Sequence, residues 1–247
     1  MNEIYYAERG SGFPLLLLHG NGESHEYFAS QLEYFSVHYR VIAPDTRGHG
    51  RTPRGDGELS ISRFADDLHD FVMMLGIEKA NILGFSDGGN IAMYFALRYP
   101  EYVGKLILNG ANLFPRGVKR SVQLPIEIGY RIASHFAKKS DDALKNAEIL
   151  GLMVNEPRLT AEDASRIKAP TLVIAGTHDM IKRSHTELIA KSIPNSQLVF
   201  IKGDHFIANK NPDAFNAAVG KFLAELISVS LYFIKYSDII DDKFVGC

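Results

Sequence analysis

Cysteine is nearly absent from this chain: the one thiol is Cys247, at the end of its 247 residues. That excludes a disulfide within the chain and a thiolate metal cluster. An excess of charge of one sign is absent too. Lys and Arg number 27 against 29 Asp and Glu, a formal net charge of -2, which gives no electrostatic case for nucleic acid or an anionic membrane surface. No apolar run approaches the length needed to span a bilayer. The opening Met1-Asn2-Glu3-Ile4-Tyr5-Tyr6 lacks the basic-then-apolar pattern of an export leader, so the cytoplasm is the expected compartment. There is no G-x-G-x-x-G spacing and no glycine-rich loop ending in Gly-Lys-Ser/Thr, which argues against a nucleotide site. Internal repeats and low-complexity stretches are missing as well.

What is present is an alternation of short apolar runs and amphipathic segments, at a length suited to one large α/β domain with or without a small insertion. Strands are expected at Asn2 to Ala7, Pro14 to Leu18, Tyr39 to Ala43, Ala80 to Leu83, Lys105 to Asn109, Pro170 to Gly176 and Gln197 to Lys202. Pro14-Leu15-Leu16-Leu17-Leu18 is apolar throughout, as a strand buried on both faces should be. Helical periodicity is clearest from Ser60 to Gly76, where Ile61, Phe64, Ala65, Leu68, Phe71, Val72 and Leu75 share a face. Further helices are expected near Ser24 to Phe35, Asn90 to Tyr99, Arg183 to Ser192 and Pro212 to Ile227. Repeated strand–helix units predict a mostly parallel sheet with helices on both faces. The alternation breaks from about 113 to 166, which reads as a helical insertion punctuated by Pro115, Pro125 and Pro157. The expected division is a core of 1–112 and 167–227, an insertion of 113–166 and a C-terminal appendage of 228–247. Val229 to Tyr236 has strand-like character; the appendage reads either as a peripheral end or as an oligomer contact.

One stretch carries the chemistry. Asn81-Ile82-Leu83-Gly84-Phe85-Ser86-Asp87-Gly88-Gly89-Asn90 is an apolar run that ends in G-x-S-x-G and becomes helix-compatible. The physical reading is a strand, a sharp strained turn carrying the serine, and a helix whose first amides lie beside the hydroxyl. Alone the pattern is weak, since Gly and Ser are common, so its partners decide. A nucleophilic serine needs a base, an acid that orients the base, and donors for the oxyanion. The order expected for a strand–serine–helix elbow is Ser, then Asp or Glu, then His. Of the later histidines, His135 lies in the insertion, His185 in a helix and His178 beside the candidate acid. His205 follows the last strand, at the edge where open α/β sheets bind ligands. Asp179, in Gly176-Thr177-His178-Asp179, follows a strand and is the candidate acid. Asp204 adjoins His205 too closely to orient its ring, and Asn109 and Asn112 are amides. The candidate oxyanion donors are the backbone N–H groups of Asp87 and of Asn21, the latter in the loop His19-Gly20-Asn21-Gly22, which His19 braces by hydrogen bonding.

The motifs His19-Gly20-Asn21-Gly22, Asp45-Thr46-Arg47-Gly48-His49-Gly50-Arg51-Thr52, Gly84-Phe85-Ser86-Asp87-Gly88-Gly89, Gly176-Thr177-His178-Asp179 and Gly203-Asp204-His205 span most of the chain. Together they resemble the α/β-hydrolase superfamily. The resemblance implies a Ser–His–Asp triad, no cofactor or metal, a helical cap formed by the segment from about 113 to 166, and a structural Asp45–Thr52 loop in which Arg47 and His49 tie neighbouring loops together. Two departures stand out: the N-terminus is one strand short of the common eight, and the tail past Ile227 has no counterpart.

Serine at the nucleophile position disfavours the branches that use aspartate there. Hydrolysis of a small-molecule carboxylic ester through an acyl-enzyme is the leading expectation. C–C bond hydrolysis, cofactor-free perhydrolysis and a non-catalytic receptor of the same fold remain as alternatives. Asp87 is the informative position. A carboxylate beside an oxyanion is unfavourable unless it faces away and caps the helix or meets a cation. Ser-Asp-Gly-Gly resembles the valacyclovir hydrolase branch, which cleaves amino-acid esters, so the second reading makes Asp87 a contact for a substrate ammonium. Side chains of the insertion, among them Leu113, Phe114, Ile126, Ile128, Phe136, Leu150, Leu152 and Met153, either line an apolar pocket or form the insertion's own core.

Overall fold

The computed structural model describes residues 4–225. The expectations for Val229 to Tyr236 and for the appendage lie outside these residues. The described elements run β1 (Tyr6–Arg9), β2 (Phe13–Leu18), a 3-10 turn (His25–Phe28), α1 (Ala29–Phe35), β3 (Tyr39–Pro44), α2 (Ile61–Met74), β4 (Ala80–Phe85), α3 (Asp87–Arg98) and β5 (Val103–Asn109). After β5 come α4 (Arg120–Phe136), α5 (Asp141–Asn155) and α6 (Ala161–Ser165), then β6 (Thr171–Gly176), α7 (Arg183–Ser192), β7 (Ser196–Ile201), α8 (Ile207–Lys210) and α9 (Pro212–Ala224).

The seven strands form one sheet in the order β1-β3-β2-β4-β5-β6-β7. Only β1 is antiparallel to its neighbour, pairing Tyr6 with Pro44 and Arg9 with Val41. The first strand therefore starts later than the sequence pattern places it, because its register is set by β3. Every residue of β4, β5 and β6 is buried, as parallel strands covered by helices on both faces require. Alternation along β2 divides two cores. Leu16 and Leu18 face a layer that includes Phe64, Leu68, Phe71, Phe95 and Ile189 from α2, α3 and α7. Leu15 and Leu17 face Phe28, Phe35, Phe215, Val219 and Phe222, from the 3-10 turn, α1 and α9.

Helix α2 begins where expected, with Ser60 Oγ accepting from Arg63 N–H, and Gly76 takes the left-handed φ of +65° that stops it. Pro125 does not punctuate the insertion; it lies inside α4. The base of the insertion is a closed neck. Leu159 N–H donates to the Leu113 carbonyl at 2.8 Å. Val118 forms an antiparallel bridge with Ile181, flanked by Lys119 N–H to Met180 O and Lys182 N–H to Gly117 O, both at 2.9 Å. His185 completes the neck: its Nε2 accepts the Leu113 N–H at 2.9 Å. Leu113 and Leu152 belong to the main core, whereas Ile128 and Phe136 are exposed and serve neither as insertion core nor as an enclosed lining. No described helix is long and apolar enough to cross a membrane.

Candidate active site

β4 ends at Phe85 and α3 starts at Asp87, so Ser86 alone makes the turn. Its φ of +52° is the one positive value at a non-glycine among the described residues. Such a conformation costs on the order of 1–3 kcal/mol and persists where the surroundings over-determine it. Here they do. Ser86 N–H donates to the Asn109 carbonyl at the end of β5 at 2.8 Å, and the Ser86 carbonyl accepts from Gly89 and Asn90. A Cβ on Gly84 would stand 2.2 Å from the Gly88 carbonyl oxygen, and one on Gly88 would stand 2.0 Å from the Leu18 carbonyl oxygen. The two glycines of the motif are thus spacers that let β4, α3 and the end of β2 close on one another.

The loops after β6 and β7 bring the expected acid and base together. Asp179 Oδ1 lies 2.7 Å from His205 Nδ1, with both side chains buried, and it also accepts from Ile181 N–H at 2.8 Å. The second bond fixes the carboxylate, and the carboxylate fixes the ring. His205 Nε2 has no hydrogen-bond partner among the described residues. Gly110, at φ +63°, allows the pair to nest against the end of β5; a Cβ there would stand 2.7 Å from His205 Cε1. The His178 side chain is exposed and meets Thr177 Oγ1 at 3.0 Å, while its backbone N–H donates to the Gly203 carbonyl at 2.8 Å. Asp204 pairs outward with Lys210 at 2.5 Å.

The loop after β2 is braced by His19, whose Nε2 accepts from Thr46 N–H at 3.0 Å and whose Nδ1 meets the Gly20 carbonyl at 2.7 Å. Burial pushes the His19 ring down to about 4, outweighing the Gly20 contact that favours its charged form, so it serves as a neutral acceptor. Gly20 to Glu23 forms a turn closed by Glu23 N–H to Gly20 O at 3.3 Å. In such a turn the second amide, that of Asn21, takes no part in the closing bond. The Asn21 side chain bonds the Ile149 carbonyl of α5 and His49 Nε2. Arg47 pairs with Asp67, so the Asp45–Thr52 loop does join its neighbours.

Asp87 does not face outward. It is 8% exposed and accepts from Asn90 Nδ2 at 3.0 Å, while its Oδ2 is buried and unpartnered among the described residues. Asp87 does lie in the first turn of α3, so the correction to the helix-capping reading is the inward orientation. Burial pushes its carboxyl up to about 6; the Asn90 bond opposes the rise and the nearby Glu156 adds to it. Glu156 in turn accepts the Ile61 N–H at 2.6 Å and lines a cavity of about 380 Å³ with Tyr130, Ser134, Leu152, Asn155 and Arg158. Sequence reasoning missed three contributors: Glu23, Glu156 and Gly110. The signal for Glu23 was an acid three residues beyond Gly20 in a glycine-rich loop; Glu156 is distant in sequence and carried none.

Comparison with known proteins agrees with this fold. The family model described as alpha/beta hydrolase fold matches residues 14–136. A 2-hydroxymuconate semialdehyde hydrolase from Pseudomonas putida is 32% identical, over 88% of this chain and 89% of that protein. The serine hydrolase BPHL of Homo sapiens is 26% identical, over 90% and 83%. Among solved structures, the enol-lactonase from Burkholderia xenovorans LB400 superposes with a TM-score of 0.77 over 91% of this chain and 97% of that one; at 23% identity it speaks for the fold alone. With the strand–serine–helix turn, the buried acid–histidine pair and these relatives in agreement, the chain belongs to the alpha/beta hydrolase fold family.

Proposed function

We propose that the protein is a serine hydrolase that cleaves a small-molecule carboxylic ester, or a related acyl bond, through Ser86, His205 and Asp179. The observation that carries this reading is the buried His205–Asp179 pair at 2.7 Å, whose Nε2 is left without a partner, in a chain whose Ser86 is held at φ +52° between β4 and α3. In this reading His205 Nε2 takes the Ser86 proton as Oγ attacks the carbonyl. Asp179 holds the Nδ1–H tautomer and stabilises the imidazolium. The amides of Asp87 and Asn21 receive the oxyanion. His205 then protonates the leaving alcohol and activates the water that releases the acyl group. The helices from 120 to 155 act as the cap over the substrate. The test is labelling by a serine-reactive fluorophosphonate together with turnover of p-nitrophenyl acetate. Labelling of Ser86 and turnover are expected; their absence in the folded protein would favour a binding role.

Asp87 refines the substrate. A buried carboxylate with one oxygen unpartnered is an unfavourable thing to leave beside an oxyanion unless a cation meets it. An α-amino-acid ester supplies an ammonium close to its carbonyl. Wild type should then prefer amino-acid esters to matched uncharged esters, and equal rates for the two would overturn the refinement.

A second reading is C–C bond hydrolysis, favoured by the Pseudomonas putida relative named as a 2-hydroxymuconate semialdehyde hydrolase. Comparing rates on that semialdehyde and on simple esters separates the two.

A further inference from the structure

Glu23 is the one acidic residue of the loop after β2 that turns inward upon the site. Its backbone N–H closes the Gly20–Glu23 turn on the Gly20 carbonyl, and its side chain folds back so that Oε2 accepts the Gly20 N–H at 3.1 Å. Gly22, at φ +75°, supplies the left-handed third position such a turn requires. One residue therefore clamps both polar groups of Gly20, and Asn21 follows directly. Space around the clamp is tight: a Cβ on Gly20 would stand 3.0 Å from Glu23 Oε2 and 3.0 Å from Phe85 Cδ1. Phe85 precedes Ser86, lies 4.8 Å from the His205 ring and stacks on Tyr27 at 4.2 Å. The titratable groups that face Glu23 are His205, from the loop after β7, and Tyr27, from the 3-10 turn. His205, when protonated, is the cation among these groups.

We propose that Glu23 is a positioning residue of the hydrolytic site, whose carboxylate clamps the turn presenting the Asn21 amide. The inference rests on the hydrolase reading and adds to it a fourth ionisable group. Ionised, Glu23 accepts from Gly20 N–H through a charge-assisted bond. Protonated, it accepts more weakly. Burial pushes its carboxyl up to about 7, against the pull of the Gly20 bond and of His205, so the switch between these forms falls in the range where such an enzyme works.

The experiment compares wild type with Glu23→Gln, which keeps the shape and an acceptor oxygen but not the charge, using p-nitrophenyl acetate from pH 5.5 to 8.5. The ratio of wild-type to variant kcat/KM should be about tenfold at pH 8.5 and fall toward one at pH 5.5, with the loss in kcat and KM changed less than about twofold. Glu23→Asp, which keeps the charge but is too short to reach Gly20, should lose kcat at pH 8.5 as the Gln variant does. A pH-independent ratio for Glu23→Gln overturns the proposal, as does a loss that matches only the fraction unfolded by circular dichroism. If wild type neither turns over nor labels at Ser86, the hydrolase reading falls and the role of Glu23 falls with it; an active wild type with an unaltered Gln variant removes the role of Glu23 alone.

Discussion

Asn21 Nδ2 donates to the carbonyl oxygen of Ile149 at 2.8 Å, across 128 residues of sequence. The bond joins the loop after β2 to helix α5 of the insertion. One residue before Ile149, Glu148 forms an ion pair with Arg54, with Nε at 2.8 and 3.1 Å from its two oxygens. The insertion is therefore fastened to the same residue whose amide is proposed to meet the oxyanion. Asn21→Ala should lower kcat about tenfold, since a tilt of that amide weakens a bond made in the transition state. Stability should change by no more than about 1–2 kcal/mol, the worth of one or two side-chain hydrogen bonds. Steady-state kinetics beside a denaturant melt separate the two effects.

Ser86→Ala should abolish turnover and labelling while the fold is retained. Ser86→Gly should be equally inactive but more stable than Ser86→Ala by about 1 kcal/mol, because glycine occupies φ +52° without the penalty of a Cβ. Asp179→Asn should cost about 10⁴ in kcat by favouring the wrong histidine tautomer. Equal stability of the Gly and Ala variants would show that the turn is unstrained.

Asp87→Asn should stabilise the protein in a pH-dependent way. The folded carboxyl is raised from 3.8 to about 6, so the charged form is disfavoured by folding. The penalty is absent below about pH 4 and grows as pH rises to about 6. The variant should thus gain up to ~3 kcal/mol at pH 8, at ~1.4 kcal/mol for each pH unit separating the folded from the unfolded value, and nothing at pH 4. In the amino-ester reading the same substitution removes the substrate preference. A gain in stability that did not vary with pH would contradict the buried charge.

His185→Leu, which has no acceptor, should behave in the opposite sense. Burial lowers the His185 ring from 6.5 to about 4, with the neighbouring Lys182 adding to the effect, and its neutral Nε2 accepts the Leu113 N–H. A lowered histidine contributes stability above pH 6.5 that is lost as pH falls toward 4. The variant should be destabilised at pH 7.5 by about 1–3 kcal/mol, the cost of leaving a buried amide unpaired. The gap from wild type should narrow as pH falls to 4. Thermal melts across that range measure the narrowing.

Much of this was legible in the sequence because it depended on local pattern. The apolar run at Leu15–Leu18, the period of α2 and the glycines at 84 and 88 each announce a strand, a helix and a close approach by residue type alone. Asp179 and His205 could be found because each follows a strand, and parallel strands bring their ends to one edge. What could not be read were facts of orientation. Asp87 is compatible with facing either water or the interior, and helix propensity does not distinguish them; Asn90, one turn on, turns it inward. Pro125 reads as a breaker, yet α4 runs through it. Glu23 and Glu156 are placed by side-chain bonds to backbone amides 3 and 95 residues away, those of Gly20 and Ile61, which no periodicity encodes.

The neck at Leu113 and Leu159 has a consequence for how such a protein can change. Leu159 N–H bonds the Leu113 carbonyl where the insertion leaves and re-enters the core, and Val118 bridges Ile181, just after Asp179. Residues 120–158 extend from this junction and are tied to the core again by Asn21–Ile149, Arg54–Glu148 and Ile61–Glu156. Lengthening, shortening or replacing them leaves the position of the acid set by β6 and Ile181. A change in those residues and a change at the acid therefore act on different elements of the chain.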